Sequence, residues 1–433
     1  MTSIDRPRVV ILGGGFGGLS AARALARVAV DVTLIDRHNY HLFQPLLYQV
    51  ATAALAPNTI AAPIRAILRA QHNATVLMET VTGIDTAGRA VLIGEQRVAY
   101  DFLIVATGAH HAYFGHDEWE KFAPGIKTLF DALAIRQQIL SAFEAAEVCD
   151  DPRERHRLLN FVLIGAGPTG VELAGAIAEL AKASLVHDFR HIDPSSARII
   201  LIEAGSRVLP NFSERSSAAA RRALERLGVE ISTGKAVTVC DADGVEVGGE
   251  RIAARTILWA AGVAASPIAQ WLDVPADRAG RVMVHEDLSV PGHPEIFAIG
   301  DTCASLSWDG KLAPGVAPPA KQMGVYAASV IRARVKRASA PPPFRYRHYG
   351  SLATIGRNSA VADFGWMTLS GRPAWLVWSV AHIFFLIGFR SRIVVALDWL
   401  WAYATFRRGA RIILAETAGA TAHPRSVPQA MRA

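Results

Sequence analysis

Two stretches of this sequence carry residue types at a spacing that could do chemistry. Gly13, Gly15 and Gly18 form G-x-G-x-x-G, and Gly165, Gly167 and Gly170 repeat it. Glycines so spaced let a backbone approach a pyrophosphate. The helix that follows offers free N–H groups and about half a positive charge. An acid closes each unit: Asp36 lies 18 residues past Gly18, and Glu203 lies 33 past Gly170. A carboxylate there can accept from a ribose hydroxyl. The second gap exceeds the usual ~20 residues, and a long helix with the Asp193-Pro194 turn accounts for the excess. Pro168 suits a first helical position.

The elements that must hold these turns can be read around them. Residues 9–12 are an apolar run suited to a buried strand, 19–29 a helix and 32–35 a second strand. Residues 160–164 and 198–202 are the matching strands, joined by a helix running to about Phe189. The echo continues in DFLIVATGA (101–109) and ARTILWAAG (254–262), two strands that end in small residues and glycine. Residues 89–93 and 96–100 read as a hairpin, and 229–231, 236–239 and 245–247 as short strands. Residues 131–149 read as a helix capped by Asp131, and 150–157 as a charged linker or helix start. Residues 294–301 read as a strand ending in Gly300-Asp301, an acid placed to take a ligand hydroxyl or to cap a turn. A helix from Gln322 to about Val335 precedes a proline linker at 341–343. Residues 37–60 mix aromatics with His38, His41, Gln44 and Gln49, which suits either core packing or the lining of a flat ring. Two copies of one plan thus predict an α/β chain with two Rossmann-like dinucleotide-binding domains, for two dinucleotides or one plus an adenine-bearing cofactor.

The 433 residues are 51% hydrophobic, enough for two or three domains. Cys149, Cys240 and Cys303 have no metal-like spacing and no C-x-x-C. The short polar start has no secretory pattern, and a reduced, cytosol-facing setting is expected. Net charge is +7, yet residues 331–433 alone carry 15 Lys/Arg against three Asp/Glu. In this quarter, 373–389 and 393–406 are apolar, and Trp366, Trp375, Trp378, Trp399 and Trp401 cluster. Arg390, Arg392, Arg407, Arg408 and Arg411 flank the runs. Both runs fall short of the ~20 residues that span a bilayer. Buried core helices are one alternative. A pair of helices in the membrane interface is favoured, because tryptophan suits headgroup depth and each basic residue gains about 1 kcal/mol near anionic lipid. Nucleic acid is a poor partner: the basic residues alternate with apolar runs and no reader motif occurs.

Four further stretches narrow the match: FQPLLYQVAT at 43–52, GPTGVELAGAIAEL at 167–180, APPAKQMG at 317–324 and GSLATIGRNSAV at 350–361. With the glycine units and the Trp-rich end, the chain from about Arg8 to Leu414 resembles the type II NADH:quinone oxidoreductases, single-subunit, non-proton-pumping respiratory flavoproteins. The resemblance implies a discontinuous FAD domain at 1–115 and 280–338, an NADH domain with a linking helix at 116–279, and membrane-associating short strands and helices at 339–433. It implies tightly bound FAD on Gly13, Gly15, Phe16, Gly17, Gly18, Asp36, Arg37, Gln44, Ala106, Thr107, Gly108, Gly300 and Asp301. NADH would bind at Gly165, Gly167, Pro168, Thr169, Gly170, Glu172, Glu203, Ala261 and Gly262, with Glu203 repelling a 2′-phosphate.

The resemblance also implies chemistry: a hydride passes from nicotinamide C4 to flavin N5, then two electrons and two protons pass to a membrane quinone. Glu172 would serve electron or proton transfer, or complement the helix dipole as a first-turn acid. Gln322 would act at the quinone, beside Gln49, Pro319 and Met323. Pro318 stands where the family signature has its first glutamine, so hydrogen bonding to the quinone must differ here. Peripheral attachment to the cytoplasmic face of the inner membrane is expected, and a homodimer is implied by resemblance alone. A sulfide:quinone reductase shares this plan but needs paired redox cysteines. A ferredoxin- or rubredoxin-type reductase would lack the membrane tail, and a disulfide reductase needs a cysteine pair absent from 37–60. A flavoprotein serving mainly to bind another protein is the alternative from another class.

Overall fold

Val9–Leu12 is buried on both faces, which is why its sequence is a continuous apolar run rather than an alternating one. In the computed structural model, which describes residues 6–306, 310–405 and 408–413, Arg8–Leu12 lies near the middle of a six-stranded sheet. Its neighbours are Asp31–Asp36 and Phe102–Val105, both parallel to it. Ala74–Met78 extends one side; His293–Ala298 and the antiparallel Ser289–Val290 extend the other. The chain leaves the central strand in both directions, and such a switch point opens a crevice at the strands' C-terminal ends. The expectations for residues 1–5, Phe406, Arg407 and Leu414 lie outside the described residues.

The second sheet repeats the plan with Val229–Thr233, Arg198–Glu203, Asn160–Ile164 and Thr256–Trp259, all parallel. Each half carries a three-stranded antiparallel appendage: Gly83–Asp85, Ala90–Ile93 and Gln96–Ala99 in one; Val237–Asp241, Gly244–Val247 and Glu250–Ala253 in the other. The halves are stitched by Ala109–His111 pairing antiparallel with Val263–Ala265.

Several elements differ from the sequence expectation. The first glycine helix is Phe16–Ala24, ending before Ala29, because Val28 and Val30 are buried in the turn that returns the chain to the sheet. The linking helix is Leu129–Glu147 and its cap is Thr128, not Asp131. Thr128 Oγ1 accepts from the Asp131 N–H while the Asp131 carboxylate accepts from the Thr128 N–H, a reciprocal capping box. The second glycine helix, Pro168–Glu179, gives way to a π-turn at Leu180–Ser184. The covering helix begins at Ala317 rather than Gln322, since Pro318 and Pro319 occupy a first turn that needs no N–H donor.

The C-terminal quarter forms a meander, Ser351–Thr354, Ala360–Asp363 and Thr368–Gly371, whose third strand the sequence did not announce. Helices Arg372–Phe385 and Phe389–Thr405 follow. The core-helix and interface-helix alternatives prove not to exclude each other. Ala374, Trp378 and Val395 are buried in the core, while Leu376, Val380, Phe384, Phe389, Leu397, Leu400 and Trp401 are exposed. No helix of the described residues is long and apolar enough to cross a membrane.

Candidate functional site

The first glycine turn is shaped by its own backbone. Gly13 has φ +99°, and a Cβ there would sit 2.3 Å from the Ala106 carbonyl oxygen. A Cβ on Gly18 would sit 1.9 Å from the Gly13 oxygen, so Gly18 packs helix on strand and does not line the cleft. Gly15 faces open space. The helix start has no side-chain cap and no acid in its first turn, which leaves its N–H groups to an anion. Asp36 accepts from the Gly14 N–H at 2.6 Å and the His38 N–H at 2.7 Å, locking turn to strand end.

A cleft of about 660 Å3 runs from this turn. Phe16, Gly17, Arg37, Gln44, Ala106, Thr107, Gly108, Gly300 and Asp301 line it with Gly13, Gly15 and Asp36. The Gly108 N–H donates to Thr302 Oγ1 at 3.1 Å, fixing the two loops to each other. Two groups have roles here that spacing did not reveal. Lys127, just before the linking helix, lines the cleft with its ammonium 4.0 Å from Asp301 and adds a second cation to that of Arg37. His41, beneath the turn, bonds through Nδ1 to the Gly14 oxygen at 2.9 Å, while its buried Nε2 has no partner. Burial lowers the His41 pKa to about 4, so the ring is neutral. The open helix N-terminus, the acid at the strand end and a cleft of this size fit FAD.

The second turn has the same build. Gly165 has φ +101° with Ala261 2.5 Å from its virtual Cβ, Gly170 packs 1.9 Å from the Gly165 oxygen, and Gly167 is open. Glu203 accepts from the Ala166 N–H at 2.7 Å and the Gly205 N–H at 2.8 Å, the two bonds that Asp36 makes in the first half. Pro168 and Thr169 are exposed at the helix start. The Phe114 ring, 70% exposed and on a residue with φ +53°, covers Gly262. Phe114 is another residue that spacing did not reveal.

Glu172 lies past the first turn of its helix, which holds no acid, so the helix-dipole alternative for it fails. Desolvation raises its pKa to about 8, opposed by the Thr354 backbone, and the carboxyl is protonated at neutral pH. Burial raises the pKa of the nearby Tyr48 phenol, which stays neutral as well. The Gln49 amide donates to Tyr48 Oη at 2.8 Å and accepts from the Trp399 indole N–H at 2.7 Å. This chain of bonds ties the C-terminal helix to the neighbourhood of Glu172. It borders a cavity of about 110 Å3, also lined by Glu179, Thr354, Trp378 and Arg408.

The remaining residues expected at a quinone do not line this cavity. Gln322 is engaged at both ends of its amide by the Arg347 backbone, donating and accepting at 2.9 Å. Met323 is buried, its sulfur taking the Gly300 N–H at 3.2 Å. Pro319 is buried in the first turn of the covering helix. Their neighbour Lys321 holds its ammonium over the rings of Phe16 (5.1 Å) and Phe385 (4.9 Å), with a pKa lowered by burial. The three cysteines are free, and burial pushes the Cys303 thiol up to about 12, far from a reactive thiolate.

Comparison with known proteins adds independent findings. Residues 7–324 match the pyridine nucleotide-disulphide oxidoreductase family, and residues 348–408 match the NDH2 C-terminal domain. Type II NADH:quinone oxidoreductase Ndh of Mycobacterium tuberculosis is 47% identical over 93% of this chain and 89% of its own length. NdhA of the same organism is 46% identical over 95% of this chain and 90% of its own. The solved structure of NDH2 from Plasmodium falciparum in complex with NADH superposes with a TM-score of 0.85 over 95% of this chain and 100% of that one, at 23% identity.

Proposed function

The chain belongs to the type II NADH:quinone oxidoreductase family and oxidises NADH with FAD as cofactor and a quinone as acceptor; from this we propose how its residues divide the work. FAD, when bound, supplies the two-electron relay between donor and acceptor. Gly15, Phe16 and Gly17 present backbone N–H groups to its pyrophosphate on a turn that Gly13 shapes, Asp36 takes its ribose, and Lys127 and Asp301 hold the far end of the cleft. Gly165, Gly167 and Gly170 receive NADH. Glu203 takes the adenine ribose diol and disfavours a 2′-phosphate. Because Glu172 is protonated at neutral pH, it brings no negative charge beside incoming electrons and has a proton to give.

The observation that carries this reading is the paired construction of the two turns. Both make the same acid-to-backbone bonds, yet one opens into a deep cleft lined from several parts of the chain and the other opens outward beneath Phe114. We assign the quinone approach to the side where Tyr48, Gln49 and Trp399 meet. Gln322, bonded to the Arg347 backbone away from this cavity, anchors that segment instead. The exposed apolar faces of the two C-terminal helices rest on an anionic membrane surface, the cytoplasmic face of the inner membrane, and the chain works there as a homodimer.

Anaerobic titration tests the scheme. NADH should bleach the flavin of the purified protein, and a soluble quinone should restore its colour. Bleaching by NADH without recovery on quinone would overturn the acceptor assignment. Bleaching by sulfide but not NADH would overturn the donor.

A further inference from the structure

Beyond the redox site, a groove of about 1100 Å3 separates the linking helix from the segment 408–413 and the last helix. Its apolar wall includes Leu140, Phe143, Trp401 and Ile412. Most charges that border it are spoken for. The Glu147 carboxylate accepts from the N–H groups of Arg190, His191 and Ile192. Asp188 pairs with Arg411, and Arg408 with Glu179 at 3.6 Å. Glu144 is exposed at the rim.

Besides Glu144, two groups are left. Arg136 is only 5% exposed and makes no hydrogen bond or ion pair among the described residues. Asp398, on the facing helix, is part-buried and likewise without a partner, and burial raises its pKa. An unpaired guanidinium bordering a groove is a ready partner for an anionic group that enters it. A neutral quinone offers no such group. A small soluble anion would leave the apolar wall and Asp398 unused.

We propose that this groove binds one molecule of an aminophospholipid, its phosphate on Arg136, its ammonium on Asp398, and an acyl chain along Leu140, Trp401 and Ile412. Trp401, 62% exposed, sits at the rim on the helix whose apolar face is exposed, so the groove opens where lipid would be met. The assignment rests on the reading that the C-terminal helices lie on a membrane.

The test is calorimetric titration of the full-length, flavin-loaded protein with short-chain phosphatidylethanolamine below its micelle concentration. One molecule should bind per chain. Arg136→Met should weaken binding about tenfold, and Arg136→Lys less, as loss of a charge-assisted contact requires. Asp398→Asn should weaken the aminophospholipid but leave dodecyl phosphate unchanged. NADH-driven flavin bleaching should be unaltered in each variant, which certifies the fold. Equal affinity in wild type and in both Arg136→Met and Asp398→Asn would overturn the proposal. Inorganic phosphate binding as tightly as the lipid would reassign the site to a free anion. Lipid binding that appears only after removal of residues 414–433 would make the chain's own tail the occupant. Sedimentation with vesicles is scored separately: its loss with monomeric lipid binding intact overturns the surface reading, and the reverse overturns the groove.

Discussion

The two glycine units are built from the same bonds and end in different surroundings. In each, the first glycine is pressed against the next strand's exit, the third seals helix to strand, and the acid receives two backbone N–H groups. What differs is the roof. The covering helix Ala317–Val335 crosses the first glycine helix so closely that a Cβ on Gly324 would lie 2.2 Å from the Gly17 oxygen. The second glycine helix meets the C-terminal meander instead, at Gly175 against Gly356. Lys127, Gly300, Asp301 and Ala317 line the first cleft, whereas Phe114 overlies Gly262 in the second. On the assignment proposed above, one design would retain a ligand or exchange it according to what later parts of the chain lay over it.

Matched substitutions can break this comparison. The largest effect is expected from Gly13→Ala, which forces a methyl into the Ala106 carbonyl in a left-handed backbone. The protein should purify without flavin, read as lost absorbance near the visible flavin band. Gly165→Ala should instead yield flavin-loaded protein that NADH cannot bleach. Full flavin retention in Gly13→Ala would refute the asymmetry.

Next in size is Glu172→Gln, expected to lower kcat about tenfold or more with flavin content unchanged. Wild-type activity should fall as pH rises through about 8, and the variant should lack that limb. The same carboxyl affects stability. Its folded pKa lies above the ordinary 4.5, so the native state holds the proton longer than the unfolded chain. Its contribution is present in full below about pH 4.5 and is lost as pH rises to 8, a slope that Glu172→Gln should remove from Tm measured at pH 5 and 8.

Glu203→Ala should raise KM for NADH several-fold, with kcat and flavin retained, by removing one ribose contact worth about 1–3 kcal/mol. It should also narrow the preference for NADH over NADPH. Smallest is Gln322→Ala. With its amide bound to Arg347, its loss should cost about 1 kcal/mol of stability and change the KM for quinone less than about twofold, where Gln49→Ala changes it more. A large, selective effect of Gln322→Ala on quinone reduction would return that residue to the acceptor site.

These contrasts also show what a linear sequence can reveal. Gly13, Asp36, Gly165 and Glu203 were legible because their roles are local: turn, strand end and helix start impose fixed spacing. The roles of Lys127 and His41 were not. Lys127 reaches the cleft from the loop before a distant helix, and His41 is indistinguishable in sequence from any core histidine of an aromatic stretch. Asp131 reads as a cap because acids favour helix starts, yet Thr128 three residues earlier completes the reciprocal pair. The two C-terminal runs disclosed their apolarity but not their faces, and only packing shows Trp378 turned inward and Phe384 outward.

The bonds from Trp399 through Gln49 to Tyr48 have a practical corollary. Removing residues 373–433 to obtain a form that leaves the membrane would also take away a wall of the cavity proposed for the quinone, along with the Arg408 contacts to Thr52 and Glu179. A water-soluble version is better sought by repainting the outer face at Leu376, Val380, Phe384, Phe389 and Leu400 with polar residues. Such a protein should still turn over soluble quinones while ignoring vesicles, separating where the enzyme sits from what it does.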